Sequence, residues 1–194
     1  MAKSNSRPKA AATRRSTVQE EIRQGRAFPS RAQEATVALL RTASVVGRAI
    51  ARVLEPSGLS LAQYNALRIV RGAGVAGIPT LAIRERMIEE GTTITRLLDK
   101  LEDAGLVRRE RSFPDRRQVI CYATDAGRRL LDRLDPLVDE SDEAVMAALD
   151  DAQLGQLVAL LDVVRAANAG RGAPRSLVIR ADAAPRPPRR SSRT

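Results

Sequence analysis

The sequence predicts a mainly α-helical fold that carries one small β-hairpin, an α+β class in which helices build the core. Three observations lead there. Aromatic residues make up 2% of a chain that is 43% hydrophobic, so the core must come from Leu, Ile, Val and Ala, a set that favours helix packing over a β-sandwich. Apolar residues recur at helical spacing in several separate stretches. One short segment near 108–123 alternates instead, with Pro114-Asp115 at its middle.

The elements follow in order. Residues 1–15 hold five bases, no acid and no apolar period, and read as a disordered basic arm. Ser16 opens a short helix with Gln19 at the capping-box position, ended by Phe28-Pro29-Ser30. Residues 31–54 predict a long helix with Val37, Leu40, Ser44, Val45, Ile50, Val53 and Leu54 on one stripe, stopped by Pro56 and Gly58. Ser60 and Gln63 form a second capping box, for a helix carrying Leu61, Tyr64, Leu67 and Ile69. Gly72, Gly74, Gly77 and Pro79 make a loop, and Thr80 is placed to cap a third helix over 81–88 that buries Leu81, Met87 and Ile88. Glu89-Glu90-Gly91 then turns the chain.

Thr92–Ala104 has the strongest helical pattern. Ile94, Leu97, Leu98 and Leu101 share one face, Gly105 stands where a left-handed cap is wanted, and Leu106 follows for the hydrophobic contact. The hairpin runs up through Arg108–Phe113 and back through Arg116–Ala123. Thr124 caps a further helix with Leu130, Leu131, Leu134, Leu137, Val138, Val145 and Leu149 on its stripe. Pro136 lies inside it, and a mid-helix proline costs about 3 kcal/mol, so a kink or break is expected there. Asp150 or Asp151 caps a last helix with Leu154, Leu157, Leu161 and Val164. The Gly, Pro and Arg beyond it read as a disordered basic tail. The expected partition is a basic arm (1–15), N-terminal helices (16–60), a helix-turn-helix with a β-wing (61–124), C-terminal helices (125–168) and a basic tail (169–194).

Composition narrows the function. There is no His and Cys121 is the only cysteine, which removes the commonest general base, an internal disulfide and any multi-cysteine zinc site. With no glycine-rich phosphate loop and no paired acids in a cleft-like context, no enzyme and no cofactor is expected. No apolar run approaches the roughly 18 residues of a membrane span, and no apolar leader is present, so a soluble cytoplasmic protein without a membrane partner is expected. The net charge of +10 belongs to the tails: residues 165–194 hold eight Arg and one Asp, and residues 16–164 sum to −2. Within that middle part, residues 118–164 sum to −7 and residues 84–117 to +1. A nucleic-acid footprint must therefore come from where bases sit, not from their total.

Helix, short turn, helix and hairpin in that order form a winged helix-turn-helix. The buried stripe of Thr92–Ala104 leaves Thr92, Thr93, Thr95, Arg96, Asp99 and Lys100 outward or at the N-terminal end. A helix N-terminus favours a phosphate; short threonines allow close approach to the major-groove floor, and Arg96 can reach guanine or a phosphate. An ordinary solvated amphipathic helix would show the same residues. The hairpin favours DNA, because Arg108, Arg109, Arg111, Arg116 and Arg117 crowd a segment with no large apolar face, and arginines at its tip suit a narrow minor groove. Asp115 can orient a neighbouring arginine. Protection of an edge strand by charge is the competing reading of the wing. A winged domain that docks proteins, or holds nucleic acid without selectivity, is the alternative for the whole chain.

The run Leu101-Glu102-Asp103-Ala104-Gly105-Leu106-Val107, followed by Asp115-Arg116-Arg117 and Thr124-Asp125-Ala126-Gly127, resembles the signature stretch of the MarR family of transcription regulators. The helix order agrees with that family from about residue 33 to 166. The resemblance implies a homodimer in which the first helix and the last two interlock. It implies a wing arginine, Arg117, that enters the minor groove and is oriented by Asp115. Thr92, Thr93, Thr95 and Arg96 would read the major groove, and a small aromatic or lipophilic acid would serve as effector. Gly91 departs from the polar or basic residue that many relatives carry. The apolar stripes at 37–54, 130–149 and 154–164 support a dimer independently, since terminal helices need a partner surface, and two-fold symmetry calls for a pseudo-palindromic site.

Overall fold

The computed structural model describes residues 17–88, 93–112 and 118–169. The chain divides into two units after Ala147. In the first, α1 (Thr17–Glu21), α2 (Arg31–Leu54) and α3 (Leu61–Gly72) are followed by β1 (Ile78–Pro79), α4 (Thr80–Arg86), α5 (Ile94–Asp103), β2 (Val107–Arg111), β3 (Val119–Ala123) and α6 (Asp125–Met146). The described part of the second unit is α7 (Asp151–Asn168) and its flanks.

Helices α2, α3, α6 and α7 begin where side chains take up orphan backbone donors. Ser30 accepts from the Gln33 N–H at the head of α2. Ser60 and Gln63 make a full capping box on α3, as do Asp150 and Gln153 on α7. Thr124 accepts from the Gly127 N–H at the head of α6. The core is one aliphatic cluster: Leu54 from α2, Leu67 and Val70 from α3, Ile83 from α4, Leu98 and Leu101 from α5, Val107 and Cys121 from the wing strands, and Leu131 from α6.

The strands form a three-stranded sheet in the order β1-β3-β2, antiparallel throughout, with Arg109 opposite Cys121 and Ile78 opposite the same residue on the other side. The sequence reading missed β1 because two residues among glycines carry no period. The expected Thr80 cap is likewise absent: Pro79 holds the cap position of α4, and the Thr80 hydroxyl donates to the Val119 carbonyl at 3.3 Å. The face of α4 also differs. Leu81 is 55% exposed and Ile88 lies exposed beyond the helix end, while Ile83 is fully buried and Met87 is buried as expected; Leu81 and Ile83 lie about 200° apart on a helix, so only one of them can face the core.

Of the kink or break expected at Pro136, the break does not occur, and α6 continues to Met146. Asp132, whose carbonyl loses its helical partner, and Pro136 are both exposed, so water can replace the missing bond. Two stripes are only partly buried. Leu39, Leu40 and Val45 of α2 stay exposed, and α7 buries no residue, leaving Val158, Leu160, Val163 and Val164 in solvent.

A polar clasp joins α3 to α6. The buried Tyr64 hydroxyl donates to Asp135 Oδ1 at 2.7 Å, and Arg71 Nη2 donates to Asp135 Oδ2 at 2.5 Å. Burial, and then the Asp135 bond, push the Tyr64 phenol up to about 12. Burial raises Asp135, but the hydrogen bonds from Tyr64 and Arg71 and the charges of Arg71 and Arg68 outweigh it and hold that carboxyl below the usual range.

Candidate nucleic-acid interface

The turn before α5 and the wing tip fall at 89–92 and 113–117. The sequence-predicted residues Thr92, Asp115, Arg116 and Arg117, and the departure at Gly91, therefore lie outside the described residues, as do the basic arm and almost all of the basic tail. Thr93, Thr95, Arg96, Lys100, Arg109 and Arg111 lie within them.

On α5 the division expected from periodicity is present. Ile94, Leu97, Leu98 and Leu101 are buried, and Thr95, Arg96 and Lys100 are exposed. Thr93 occupies the cap position without a side-chain hydrogen bond to the helix, so its hydroxyl is not engaged as a cap. Gly105 adopts the left-handed φ of 68° that ends such a helix, and the Leu106 N–H donates to the Leu101 carbonyl at 2.9 Å.

Thr93, Arg96 and Lys100 share a groove of about 470 Å³ with Ser60, Ala62 and Gln63 at the head of α3. One arginine, one lysine and the capped N-terminus of α3 thus border one space. Sequence reasoning had used Ser60 and Gln63 only as the start of a helix. Nothing in their spacing shows that the start of α3 abuts the exposed face of α5, which requires the packing of the two helices.

The wing arginines separate into different roles. Arg111 is exposed at the end of β2. Arg108 lies 4.1 Å from the centroid of the Tyr122 ring on β3 and pairs with Glu110. Arg109, expected as a DNA-facing cation, turns back onto α5 instead. Its Nη2 lies 2.7 Å from Asp99 Oδ1 and 2.6 Å from Glu102 Oε2, and its side chain is 23% exposed. The physical reason is local: two carboxylates three residues apart on α5 face the strand, and the guanidinium fork suits them. Asp99, expected to face outward, is drawn into the same cluster. Hydrogen bonding from Arg109 holds the Glu102 carboxyl below its ordinary range. The matching bond from Glu102 pushes the Arg109 guanidinium up.

Cys121 lies beneath this cluster, buried, with its sulfur 3.8 Å from Thr80 Oγ1. Burial pushes its thiol up, with a smaller opposing effect from the Thr80 contact, the reverse of what an activated thiolate needs.

Known proteins place this architecture. Residues 59–119 match the model of the MarR family. The HTH-type transcriptional regulator TtmR of Methylorubrum extorquens (strain PA1) is 33% identical over 131 residues, covering 66% of this chain and 66% of that protein. A MarR transcription factor from Planctomyces limnophilus is 36% identical, with a TM-score of 0.55 over 71% of this chain and 99% of that one. The fold is also that of Bordetella bronchiseptica BpsR, whose DNA binding is regulated by 6-hydroxynicotinic acid: TM-score 0.64 at 19% identity, over 71% of this chain and 97% of that one. The helical unit with its three-stranded wing thus has the sequence and fold of DNA-binding transcriptional regulators, and the chain belongs to the MarR family.

Proposed function

We propose that this regulator acts as a homodimeric repressor that binds a pseudo-palindromic operator and is released by a small aromatic or lipophilic acid. One observation carries the DNA-reading part: Thr95, Arg96 and Lys100 are exposed on the face of α5 opposite its buried stripe. In this reading Thr92, Thr93, Thr95 and Arg96 meet base edges, Lys100 meets phosphate, and Arg111, Arg116 and Arg117 follow the minor groove with Asp115 holding the tip. The exposed apolar residues of α2 and α7 support pairing with a second copy, since such surface is costly to leave in water. Two copies related by a two-fold axis would read half-sites about 10 bp apart.

The effector reading draws on a cleft of about 340 Å³ whose lining includes Ile50, Tyr64, Arg68, Ile88 and Val138. Arg68 stands 5.6 Å from the Tyr64 ring centroid, so an aromatic acid could place its ring against the apolar wall and its carboxylate on the guanidinium.

The test begins with selection of a preferred duplex from a random library, followed by titration at several salt concentrations and sedimentation of the free protein. A dimer that prefers its selected duplex by about 10³-fold or more over random DNA is expected. Arg96→Ala should cost about 1–3 kcal/mol and relax the base preference at one position. A monomer, or a preference no better than about tenfold, would instead favour a protein-docking or non-selective module.

A further inference from the structure

The recognition helix and the wing are joined covalently by only Ala104, Gly105 and Leu106, and Gly105 sits at a φ of 68°. A link that short and that glycine-dependent fixes the spacing of the two elements but does little to fix their angle. Besides the cap bond from the Leu106 N–H to the Leu101 carbonyl and the apolar core beneath, a polar clasp crosses it. Arg109 Nε donates to Glu102 Oε2 at 2.7 Å, and the Arg109 backbone N–H donates to Glu102 Oε1 at 3.0 Å. Both oxygens of one carboxylate are thus held by one residue of β2. Arg109 Nη2 adds contacts of 2.6 Å to Glu102 Oε2 and 2.7 Å to Asp99 Oδ1. The two acids lie on the same helix as Arg96 and Lys100, at i+3 and i+6 from Arg96. A planar fork gripping two carboxylates on one helix, with its own backbone bound as well, restricts rotation in a way one point contact would not.

We propose that Arg109 is a positioning residue: through Asp99 and Glu102 it sets the angle between α5 and the wing, so that major-groove and minor-groove contacts fall in one register on the duplex. The proposal rests on the DNA-reading assignment above and departs from a role for Arg109 as a DNA contact. It makes a prediction opposite in sign to simple electrostatics. Asp99 and Glu102 are negative charges beside the reading residues, and Coulomb's law alone says that neutralising either should tighten DNA binding. If they act by holding Arg109, neutralising them must loosen binding to the preferred sequence and leave or strengthen binding to random sequence.

The experiment uses the full chain, the duplex that the wild-type protein enriches from a random library, and a random duplex of equal length. Glu102→Ala, Glu102→Gln, Asp99→Asn, Arg109→Lys and the exchange Glu102→Arg with Arg109→Glu are compared with the parent. Thermal unfolding is recorded for each. Glu102→Gln keeps the side-chain shape and an acceptor for the Arg109 N–H, which guards against loss of the fold. The expected result is a fall of at least tenfold in the ratio of selected to random affinity for Glu102→Ala and Arg109→Lys, and a smaller fall for Glu102→Gln and Asp99→Asn. Random-duplex affinity should be unchanged or higher, and the exchange should recover a ratio above that of Glu102→Ala. Tighter binding of the selected duplex by folded Glu102→Gln or Glu102→Ala, an unchanged ratio in Arg109→Lys, or an exchange variant no better than Glu102→Ala would overturn the proposal while leaving DNA reading intact. A wild-type protein that enriches no sequence would overturn the DNA-reading assignment itself, and this proposal with it.

Discussion

Replacing Gly127 with alanine probes the contact that seats α6 against the loop after the recognition helix. A β-carbon built at Gly127 falls 2.2 Å from the Leu106 carbonyl oxygen and 3.2 Å from a methyl of Leu67. An ordinary C···O contact is about 3.3 Å, so helix and loop must part by roughly 1 Å. The Leu106 carbonyl is not free to move, since it accepts from the Thr124 N–H at 3.1 Å, and the Thr124 hydroxyl, 3.1 Å from it, anchors the same loop by donating to the Gly105 carbonyl at 2.7 Å. Weakening those two bonds costs about 1 kcal/mol each. Overpacking at such a site adds about 1–3 kcal/mol, and the better helix propensity of alanine returns about 1 kcal/mol. The expected net loss is about 2–4 kcal/mol, or a fall in Tm on the order of 10 °C for a chain of this size. Heat or urea unfolding followed by circular dichroism measures it. Gly72→Ala is the control: Gly72 is an exposed helical residue with open space where its β-carbon would go, and the change should be neutral or stabilising by up to about 1 kcal/mol. A Gly127→Ala protein as stable as the parent would refute the reasoning.

Three further outcomes are expected. Tyr64→Phe removes the hydroxyl that donates to Asp135 at 2.7 Å and should lower stability by about 1–2 kcal/mol in urea denaturation, since a bond to a charged acceptor is lost while Arg71 remains. Asp135 has a depressed folded pKa, so its stabilising contribution is fully present above the ordinary carboxylate value of about 3.9 and is lost as pH falls through the folded value. Asp135→Asn should therefore be less stable at neutral pH and show a flatter loss of stability below about pH 4; parallel curves for the two proteins in acid would contradict this. Cys121 is buried with its thiol pushed up, so a maleimide should label native protein at neutral pH only as fast as the wing region opens, and urea should accelerate labelling. Rapid labelling of the folded protein would show that the thiol is accessible.

Much of this fold was legible because it depends on local signals. The recognition helix announced itself through Ile94, Leu97, Leu98 and Leu101 and through Gly105. Both wing strands were expected where they lie, with bounds up to three residues too long toward the turn, and the Thr124 cap was read from its position alone. What escaped depends on partners distant in sequence. Leu81 and Ile83 are both acceptable core residues, and only the way α4 packs against its neighbours decides between them. Pro136 looked like a break because its cost is known and its exposure was not. Among the wing arginines sequence cannot say which turns back, since Asp99 and Glu102 become partners of Arg109 only once α5 and β2 lie side by side. Spacing along one chain reports which residues share a face, not what stands opposite.

The small sheet also bears on how copies of this protein can meet. Its first strand ends in Pro79, which has no N–H to offer, and on the opposite edge the N–H of Arg109 is occupied by the Glu102 side chain. A strand edge is a template for extension only while its donors are free. One donor on each edge is thus withdrawn from recruiting a foreign strand, which hinders a common route to disordered aggregation. The helices, by contrast, leave leucines and valines in solvent: Leu39, Leu40 and Val45 on α2, and Val158, Leu160, Val163 and Val164 on α7.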